Sequence, residues 1–328
     1  MMKDPFVLRL LAIFLGFLVD CVLGDPVSLP HPVVFIGKLI SRSEKAFRRI
    51  FPKTARGEFF AGAVMAVFVP VISAAVPFGI LFLCRKVSIW LSFAVSVVMC
   101  WQIFAARCLR DEALKVVAAL KMGGLLAGRK QVSMLVGRDT QELTEEQVLK
   151  AAVETVAENT TDGVISPLLF MMLAGPCGGF FYKAVNTMDS MVGDKNEKYL
   201  WFGRAAARLD DAANFIPARI AAAAMIAAAC FTGMDAKNAA RIFLRDRKKS
   251  TSPNAGQTES ACAGALHIEL LGDAYYFGKL VKKPPVGDPD RRIERADVKR
   301  SCILMYGTSI LLLAVCEATG ALALLLLH

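Results

Sequence analysis

The chain has 328 residues, of which 55% are hydrophobic, and it carries a formal net charge of +10. A soluble domain of this length is usually more polar, and here the apolar residues are gathered into long runs, so the composition argues against a water-soluble protein. The basic residues stand in polar segments beside those runs, a pattern that favours the positive-inside rule over nucleic-acid binding. We therefore expect an all-α, polytopic integral membrane protein of the cell membrane.

Six apolar runs are candidates for entering the membrane. They predict about four to six membrane-embedded helices, joined by amphipathic helical loops, in a single domain that covers residues 1–328. The main polar segments are then residues 25–58, 109–163, 183–214 and 235–301. The six runs cover residues 6–24, 59–84, 88–108, 164–182, 215–234 and 302–327.

The first polar segment follows the first run and holds Asp25 and His31 among several prolines. Prolines interrupt helices, so we expect an ordered loop here. A lone histidine is a weak signal, and a surface position between Pro30 and Pro32 explains His31 as well as a ligand role does. The segment also holds seven Lys or Arg, which predicts that it faces the cytoplasm.

The polar segment 109–163 predicts two or three amphipathic helices. Thr144 and Gln147 have the spacing of a capping box, which predicts a helix start there. Three acids follow at intervals of four residues: Glu154, Glu158 and Asp162. The sequence Asn-Thr-Thr-Asp-Gly at 159–163 predicts an Asx-type turn that ends the helix. That turn would leave Glu158, Asn159 and Asp162 at the mouth of a loop.

Acids and amides then recur beside apolar sequence, at Asn186, Asp189, Asp194, Asp210, Asp211 and Asn214. Carboxylate and amide oxygens suit Mg²⁺, which takes one or two carboxylates and fills its other positions with water and phosphate. Alternatively, these acids form ion pairs with Arg204, Arg208 and Arg219 that stabilise interfacial helices. The same arginines are also suited to binding phosphate or carboxylate.

A second polar cluster covers residues 252–267 and holds Asn254, Glu259 and His267. By itself it is compatible with a loop of any function. If runs 164–182 and 215–234 both cross the membrane, residues 183–214 and this cluster lie on opposite sides. We therefore expect either a re-entrant segment or a site at membrane depth, facing the cytoplasm. The residues alone indicate a site for Mg²⁺ and a polyanion, and they name no reaction.

Several long blocks resemble the signature blocks of the adenosylcobinamide-phosphate synthase family, a membrane enzyme family of cobalamin biosynthesis. The blocks occur in the family's order over nearly the whole chain. They are LGDP-x2-LPHPV-x2-IG at 23–37, AENTTDGVISPL, NTMDSMVG, YLWFGRAAARLDDAANFIPAR, SPNAGQTESACAGAL and VGDP-x-R at 286–291.

This resemblance implies an ATP-dependent ligation that joins a carboxylate of adenosylcobyric acid to the amine of (R)-1-aminopropan-2-ol O-phosphate. Mg²⁺ and ATP would be required, and the cobalt corrinoid would be a substrate. The expected partners are these substrates, the lipid bilayer and other membrane enzymes of cobalamin assembly, with no nucleic acid.

The roles that we assign under this resemblance fall into three groups. The base that receives the amine's proton would be Glu158 or Asp162. Asp189, Asp210 and Asp211 would hold Mg²⁺. The groups that bind substrate or phosphate would be Asp25, His31, Asn159, Asn186, Arg204, Asn214, Arg219, Asn254 and Glu259.

Two alternatives stay open at this point. Asn186, Asp189 and Asp194 loosely resemble the site of a Mg²⁺-dependent membrane prenyltransferase, although their spacing differs and a second Asp-rich repeat is missing. The interrupted apolar runs are also compatible with a transporter or a corrinoid-binding protein without catalysis, although no internal repeat supports this.

Overall fold

The computed structural model describes residues 4–26, 29–194 and 196–327. Almost all of the regular structure in these ranges is helical, which confirms the all-α prediction. A π-helical turn at Thr161–Ile165 joins two of the α-helices. The α-helices are α1 (Pro5–Leu23), α2 (Pro32–Ile50), α3 (Ala55–Val87), α4 (Ile89–Trp101), α5 (Ala106–Val132), α6 (Glu145–Thr160), α7 (Ser166–Val192), α8 (Arg204–Phe231), α9 (Ala236–Asp246), α10 (Ala255–Leu266) and α11 (Arg295–Leu327).

Four short strands stand between α10 and α11, where the sequence predicted none. β1 (Leu270–Leu271) pairs antiparallel with β4 (Pro285–Val286). β2 (Ala274–Tyr276) pairs antiparallel with β3 (Lys279–Val281) as a hairpin. These ribbons are too small to change the fold class.

Six helical segments of the described ranges are long and apolar enough to cross a membrane. They match the six apolar runs, so the structure reaches the upper limit of the predicted four to six. The protein is therefore a polytopic membrane protein. The segments are Pro5–Leu23, Ala55–Val87, Ile89–Val132, Glu145–Val192, Arg204–Phe231 and Arg295–Leu326.

The polar segments are mostly helical, as the prediction of an all-α protein with amphipathic helical loops requires. α2 fills most of segment 25–58 and begins at Pro32, because proline fits the first turn of a helix, where no N–H is needed. α7 runs on to Val192 and α8 begins at Arg204, so segment 183–214 shortens to a connection of residues 193–203. The acids and amides of this stretch consequently lie on helices.

The predicted Asx turn at residues 159–163 is also wrong. Thr144 and Gln147 do form the capping box of α6, but α6 continues into the π-helical turn and then α7. The polar side chains bond within the helix instead of ending it. Asn159 Nδ2 donates to the Thr155 carbonyl at 3.0 Å, and Thr160 Oγ1 donates to the Val156 carbonyl at 2.7 Å. Because these side chains bond to carbonyl groups of the preceding helical turn, they do not need a turn conformation to form hydrogen bonds.

The chain divides into two compact units, each made of separate segments. The first unit comprises residues 1–105, 166–214 and 316–328, and the second comprises residues 106–165 and 215–315. The single domain over residues 1–328 stays a prediction, because two compact units can belong to one membrane domain.

In the first unit, α3 packs against α2, α4 and α7. Its buried side chains include Met65 and Val69, which lie in one apolar cluster with Ile40, Met188 and Phe202. Gly62 allows α3 to approach the chain closely, since a Cβ at this position would lie 1.8 Å from the Phe202 carbonyl oxygen. Any larger residue at position 62 would force the two backbones apart.

In the second unit, α10 packs against α6 and α9 and is buried along most of its length. Small residues permit this. A Cβ at Gly264 would lie 2.7 Å from the Asn238 carbonyl oxygen, so α9 and α10 approach at backbone distance. Asn238 Nδ2 also donates to the Gly264 carbonyl at 2.8 Å. The consequence is that α10 carries Gln257, Thr258 and Glu259 into the interior.

The C-terminal end of α10 predicts a pH-dependent stability. His267 caps this helix, and its ring nitrogens lie 3.0 Å from Asp290 and 3.1 Å from Asp235. The hydrogen bond to Asp290 and the bond and charge of Asp235 raise the pKa of His267 above its usual value. The folded state therefore binds the proton more tightly than the unfolded state does.

The His267 contribution is accordingly complete below about pH 6.5, the value for an unfolded histidine, and is lost as the pH rises through the higher folded pKa. We expect the unfolding midpoint of the wild-type protein to fall over this window. The variants His267→Gln and Asp290→Asn should flatten that fall in denaturation curves recorded from pH 6 to 9. An unchanged slope in both variants would contradict the assignment.

Candidate functional site

A polar cavity of about 260 Å³ lies within the second unit. Its walls come from α6, from the start and middle of α10, and from the segments before α6 and after β1. Acids, bases, an amide and hydroxyl groups all face it. The polar side chains that line it are Arg138, Glu154, Thr155, Glu158, Asn159, Ser250, Thr251, Ser252, Glu259, Tyr276 and Lys283.

Glu259 is the most unusual of these side chains. It is only 4% exposed, and its Oε2 atom has no hydrogen-bond partner in the part of the chain that the structure describes. Burial raises the pKa of the Glu259 carboxyl well above its usual range, and the negative charges of Glu158 and Glu154 add to that rise. A buried carboxylate without a partner is costly, and such groups concentrate at functional sites.

Glu154 is the structural acid of the cavity. It forms an ion pair with Arg138, and its Oε1 accepts a 2.7 Å hydrogen bond from the Leu271 backbone N–H. Burial lowers the pKa of the Arg138 guanidinium, but the charge and hydrogen bond of Glu154 outweigh this, so its pKa is raised overall. The Arg138 guanidinium therefore stays charged within the ion pair.

The remaining wall offers hydrogen-bond donors. Lys283 Nζ lies 2.9 Å from the Tyr276 hydroxyl, within reach of the cavity. Ser252 lies before α10, and its Oγ accepts from the backbone N–H groups of Asn254 and Ala255 at 3.2 Å each. The positive end of the α10 dipole thus faces the side of the cavity that Ser252 occupies.

The structure brings together three of the predicted site residues in this cavity: Glu158, Asn159 and Glu259. Asp162 lies in the π-helical turn and is not among the described residues that line the cavity. In the same unit, Arg219 Nη1 lies 3.4 Å from Asn254 Oδ1, and its guanidinium stacks 3.5 Å from the Phe215 ring centroid.

A second predicted group meets in the first unit. Asn214 is 1% exposed, and its Oδ1 accepts from the hydroxyls of Ser166 at 2.6 Å and Tyr182 at 2.9 Å. Its Nδ2 donates to Asp210 Oδ2 at 3.0 Å, while Asn186 Nδ2 lies 3.5 Å from Asp210 Oδ1. Asp210 thus takes hydrogen bonds from amides on both oxygens.

The predicted magnesium ligands can be compared with this geometry. No group of three or more His, Cys, Asp or Glu side chains in residues 4–26, 29–194 and 196–327 is placed to hold a metal ion. Asp211 is close enough for its charge to act on Asp210, and the long Asn186 contact leaves Asp210 Oδ1 weakly bonded. These two acids fit a Mg²⁺ whose other ligands are water and phosphate, and they do not fit an all-protein cage. Asp189 lies near the end of α7, where its side chain packs on Gly193.

The remaining predicted residues lie elsewhere in the first unit. His31 caps α2, with its Nδ1 accepting from the Val33 N–H at 3.3 Å, so it is more than a surface loop histidine. Its Nε2 lies 3.6 Å from Asp25 Oδ1. Arg204 is exposed at the first position of α8. The structure gives these three residues no place in the cavity of the second unit.

A protein-family model with the description "CobD/Cbib protein" matches residues 13–305. The chain belongs to the CobD/Cbib family. Similar relatives include the "Cobalamin biosynthesis protein CobD" of Listeria monocytogenes EGD-e, which is 45% identical over 90% of this chain and 93% of its own. The protein of the same name from Citrobacter koseri is 43% identical over 96% of this chain and 98% of its own. No solved structure matches.

These relationships confirm the family resemblance that the sequence blocks indicate, and the names of the relatives assign the CobD/Cbib family to cobalamin biosynthesis. Eight of the polar side chains that line the cavity were not among the predicted site residues: Arg138, Glu154, Thr155, Ser250, Thr251, Ser252, Tyr276 and Lys283. Closeness to a quoted block could have signalled Ser250, which stands two residues before the block that starts at Ser252, whereas Arg138 and Tyr276 lie near no block.

Proposed function

We propose that this protein catalyses the ATP-dependent joining of adenosylcobyric acid to (R)-1-aminopropan-2-ol O-phosphate, which gives adenosylcobinamide phosphate. The observation that supports it best is the polar cavity, in which a buried carboxylate without a hydrogen-bond partner stands beside a second acid, a lysine and hydroxyl groups. So many ionisable and hydroxyl side chains in one cavity of a CobD/Cbib family member favour an enzyme over a protein that only binds or transports corrinoids.

The reaction needs ATP because a carboxylate has no good leaving group. Transfer of the γ-phosphoryl group to the corrinoid carboxylate gives an acyl phosphate and ADP. The amine then attacks the acyl carbon, and phosphate leaves with the electrons of the broken C–O bond. The ammonium form must first lose one proton, and the attacking nitrogen loses a second as the amide forms.

Glu158 is the better candidate for the base. It lines the cavity, whereas Asp162, its alternative from the sequence, is not among the described lining residues. A carboxylate at this place can accept the amine's proton if the amine binds in the cavity. Asn159 and Asn254 would orient substrate by hydrogen bonds, and Arg219 would contribute positive charge for phosphate.

Mg²⁺, when bound, would neutralise phosphate charge during transfer from ATP. Asp210 and Asp211 would hold it. We also propose that the substrate sites open to the cytoplasm, where ATP and the amine donor are available.

The direct test uses membranes that contain the full chain. With adenosylcobyric acid, aminopropanol phosphate, ATP and Mg²⁺, we expect a corrinoid product whose mass matches the amide, and none without ATP. Glu158→Gln should lower the rate by roughly 10²-fold or more, as loss of a general base does. Glu146→Gln, an exposed acid at the start of the same helix, should keep the wild-type rate. Corrinoid binding without ATP consumption would instead support the transport or scaffold alternative.

Removal of Mg²⁺ gives a separate prediction. Chelation should abolish product formation, and added Mg²⁺ should restore it. Asp211→Asn should raise the Mg²⁺ concentration for half-maximal rate by roughly tenfold or more, since weakening a metal's coordination shell has effects of that size. A titration that is the same for the variant and the wild type would reject the metal assignment.

A further inference from the structure

Side chains of opposite charge line the cavity of the second unit, and only some of them form an ion pair there. Arg138 and Glu154 form an ion pair, so their charges compensate each other. Lys283, Glu158 and Glu259 remain. Among the described residues Lys283 and Glu259 form no ion pair within 4.0 Å, and Lys283 Nζ is bonded to the Tyr276 hydroxyl. Glu259 Oε2 has no hydrogen-bond partner among those residues. A ligand with both a positive and a negative group would complement both side chains.

The size of the cavity restricts that ligand. About 260 Å³ is below the roughly 300–1,000 Å³ of pockets that hold drug-sized molecules. A whole nucleotide or corrinoid is therefore too large, while a short amino-alcohol phosphate is not.

The wall around Lys283 suits phosphate. Three consecutive hydroxyl residues, Ser250, Thr251 and Ser252, line the cavity together with the lysine. They precede the N-terminus of α10, where the helix dipole attracts anions. Lysine binds phosphate as a point charge, and hydroxyl groups add directional hydrogen bonds.

We propose that this cavity binds a small zwitterion, with its ammonium group at Glu259 beside Glu158 and its phosphate at Lys283 and the hydroxyls of residues 250–252. The identification of the ligand as 1-aminopropan-2-ol O-phosphate rests on the proposed function. The ammonium supplies hydrogen-bond donors to the buried Oε2 atom of Glu259. It also offsets the mutual repulsion of the acids, the effect that together with burial raises the pKa of Glu259.

The test measures binding alone, by calorimetry on the purified full chain with a chelator present and without ATP or corrinoid. The probes are 1-aminopropan-2-ol O-phosphate, isopropyl phosphate, which lacks the amine, and 1-aminopropan-2-ol, which lacks the phosphate. We expect the wild type to bind the zwitterion at least about tenfold more tightly than either fragment. Each fragment lacks one charge-assisted contact, and the loss of one such contact lowers affinity by about that factor.

Two variants test which side chain binds the ammonium group and which binds the phosphate. Glu259→Gln should weaken the zwitterion about tenfold and leave isopropyl phosphate unchanged, and that unchanged binding also shows that the variant is folded. Lys283→Met should weaken both phosphate-containing probes. Glu269→Gln and Lys282→Met change an acid and a base that do not line this cavity, and they should bind all probes as the wild type does.

Several results would overturn the proposal. One is the absence of zwitterion binding to the wild type. Another is an equal effect of Glu259→Gln on the zwitterion and on isopropyl phosphate. Binding of Mg²⁺ alone, lost in Glu259→Gln, would make the acids a metal site instead. The ligation assay separates this proposal from the proposed function: product formation without the predicted binding pattern rejects only the subsite, and the pattern without any product rejects only the reaction.

Discussion

Replacing Arg138 by methionine is expected to lower the free energy of unfolding by about 3–5 kcal/mol, the effect of removing one partner of a buried ion pair. The side chains of Arg138 and Glu154 are 16% and 4% exposed. Without the guanidinium, the Glu154 carboxylate keeps its bond to the Leu271 N–H, but its charge stays buried beside Glu158 and Glu259. The variant therefore loses the attraction of the ion pair and also leaves an unpaired charge in the wall of the cavity.

Denaturant unfolding of the purified protein in detergent measures this effect. Arg295→Met is the matched control, because Arg295 pairs with Glu145 at 2.8 Å in an exposed position, where such pairs contribute about 1 kcal/mol or less. The double variant Arg138→Met/Glu154→Gln should recover part of the loss, since the unpaired charge is gone. Equal losses for Arg138→Met and Arg295→Met would mean that burial of the pair is energetically unimportant.

The variant Asn214→Leu is expected to cost about 3 kcal/mol or more. Leucine has a similar size but cannot form hydrogen bonds. It would leave the Ser166 hydroxyl without its acceptor and Asp210 Oδ2 without its 3.0 Å donor, and it would remove the 2.9 Å bond between the Tyr182 hydroxyl and Asn214. Each buried polar group left without a partner costs about 1–3 kcal/mol.

Asn186→Leu is the comparison for this second prediction. The change in chemistry is the same, but Asn186 is half-buried and its contact with Asp210 is 3.5 Å long. We expect a loss of about 1 kcal/mol, read from the same unfolding curves. If both variants lose the same amount, the buried position of Asn214 does not matter and the network argument fails.

The membrane helices were predictable because their signal is local. A run of about twenty apolar residues indicates a spanning helix whatever surrounds it, and all six runs became such segments. The start of α6 was predictable for the same reason, since the side chains of Thr144 and Gln147 each accept a hydrogen bond from the other residue's backbone N–H within one turn.

The helical character of residues 159–163 was not predictable from local rules. Asn, Thr, Asp and Gly favour turns when water competes for their side chains. In the folded protein Thr160 and Thr161 are buried, so carbonyl groups of the preceding turn become the available partners, as Asn159 and Thr160 show. Burial is a tertiary property that a short sequence window does not contain.

The candidate site was predictable only where a residue belongs to a long block. Glu158, Asn159 and Glu259 do, and the structure places them in one cavity. Arg138 and Lys283 stand in segments without a motif, more than 100 residues apart in the chain. Packing of α6 against α10 and of β1 against both helices brings such segments together, and one sequence does not reveal that arrangement.

The second unit is built from two separate segments of the chain, so its cavity residues are synthesised at different times. Arg138 and Glu154 leave the ribosome early, whereas Lys283 follows after residues 166–214 of the other unit have been made. At elongation rates of about 5–20 residues per second, the interval between Arg138 and Lys283 is roughly 7–30 s. During that interval α6 is complete while the chain that closes the cavity does not yet exist. A nascent chain stopped before residue 283 should therefore contain the acids and Arg138 but not Lys283. Translational pausing in this part of the message would lengthen the time that the cavity stays open.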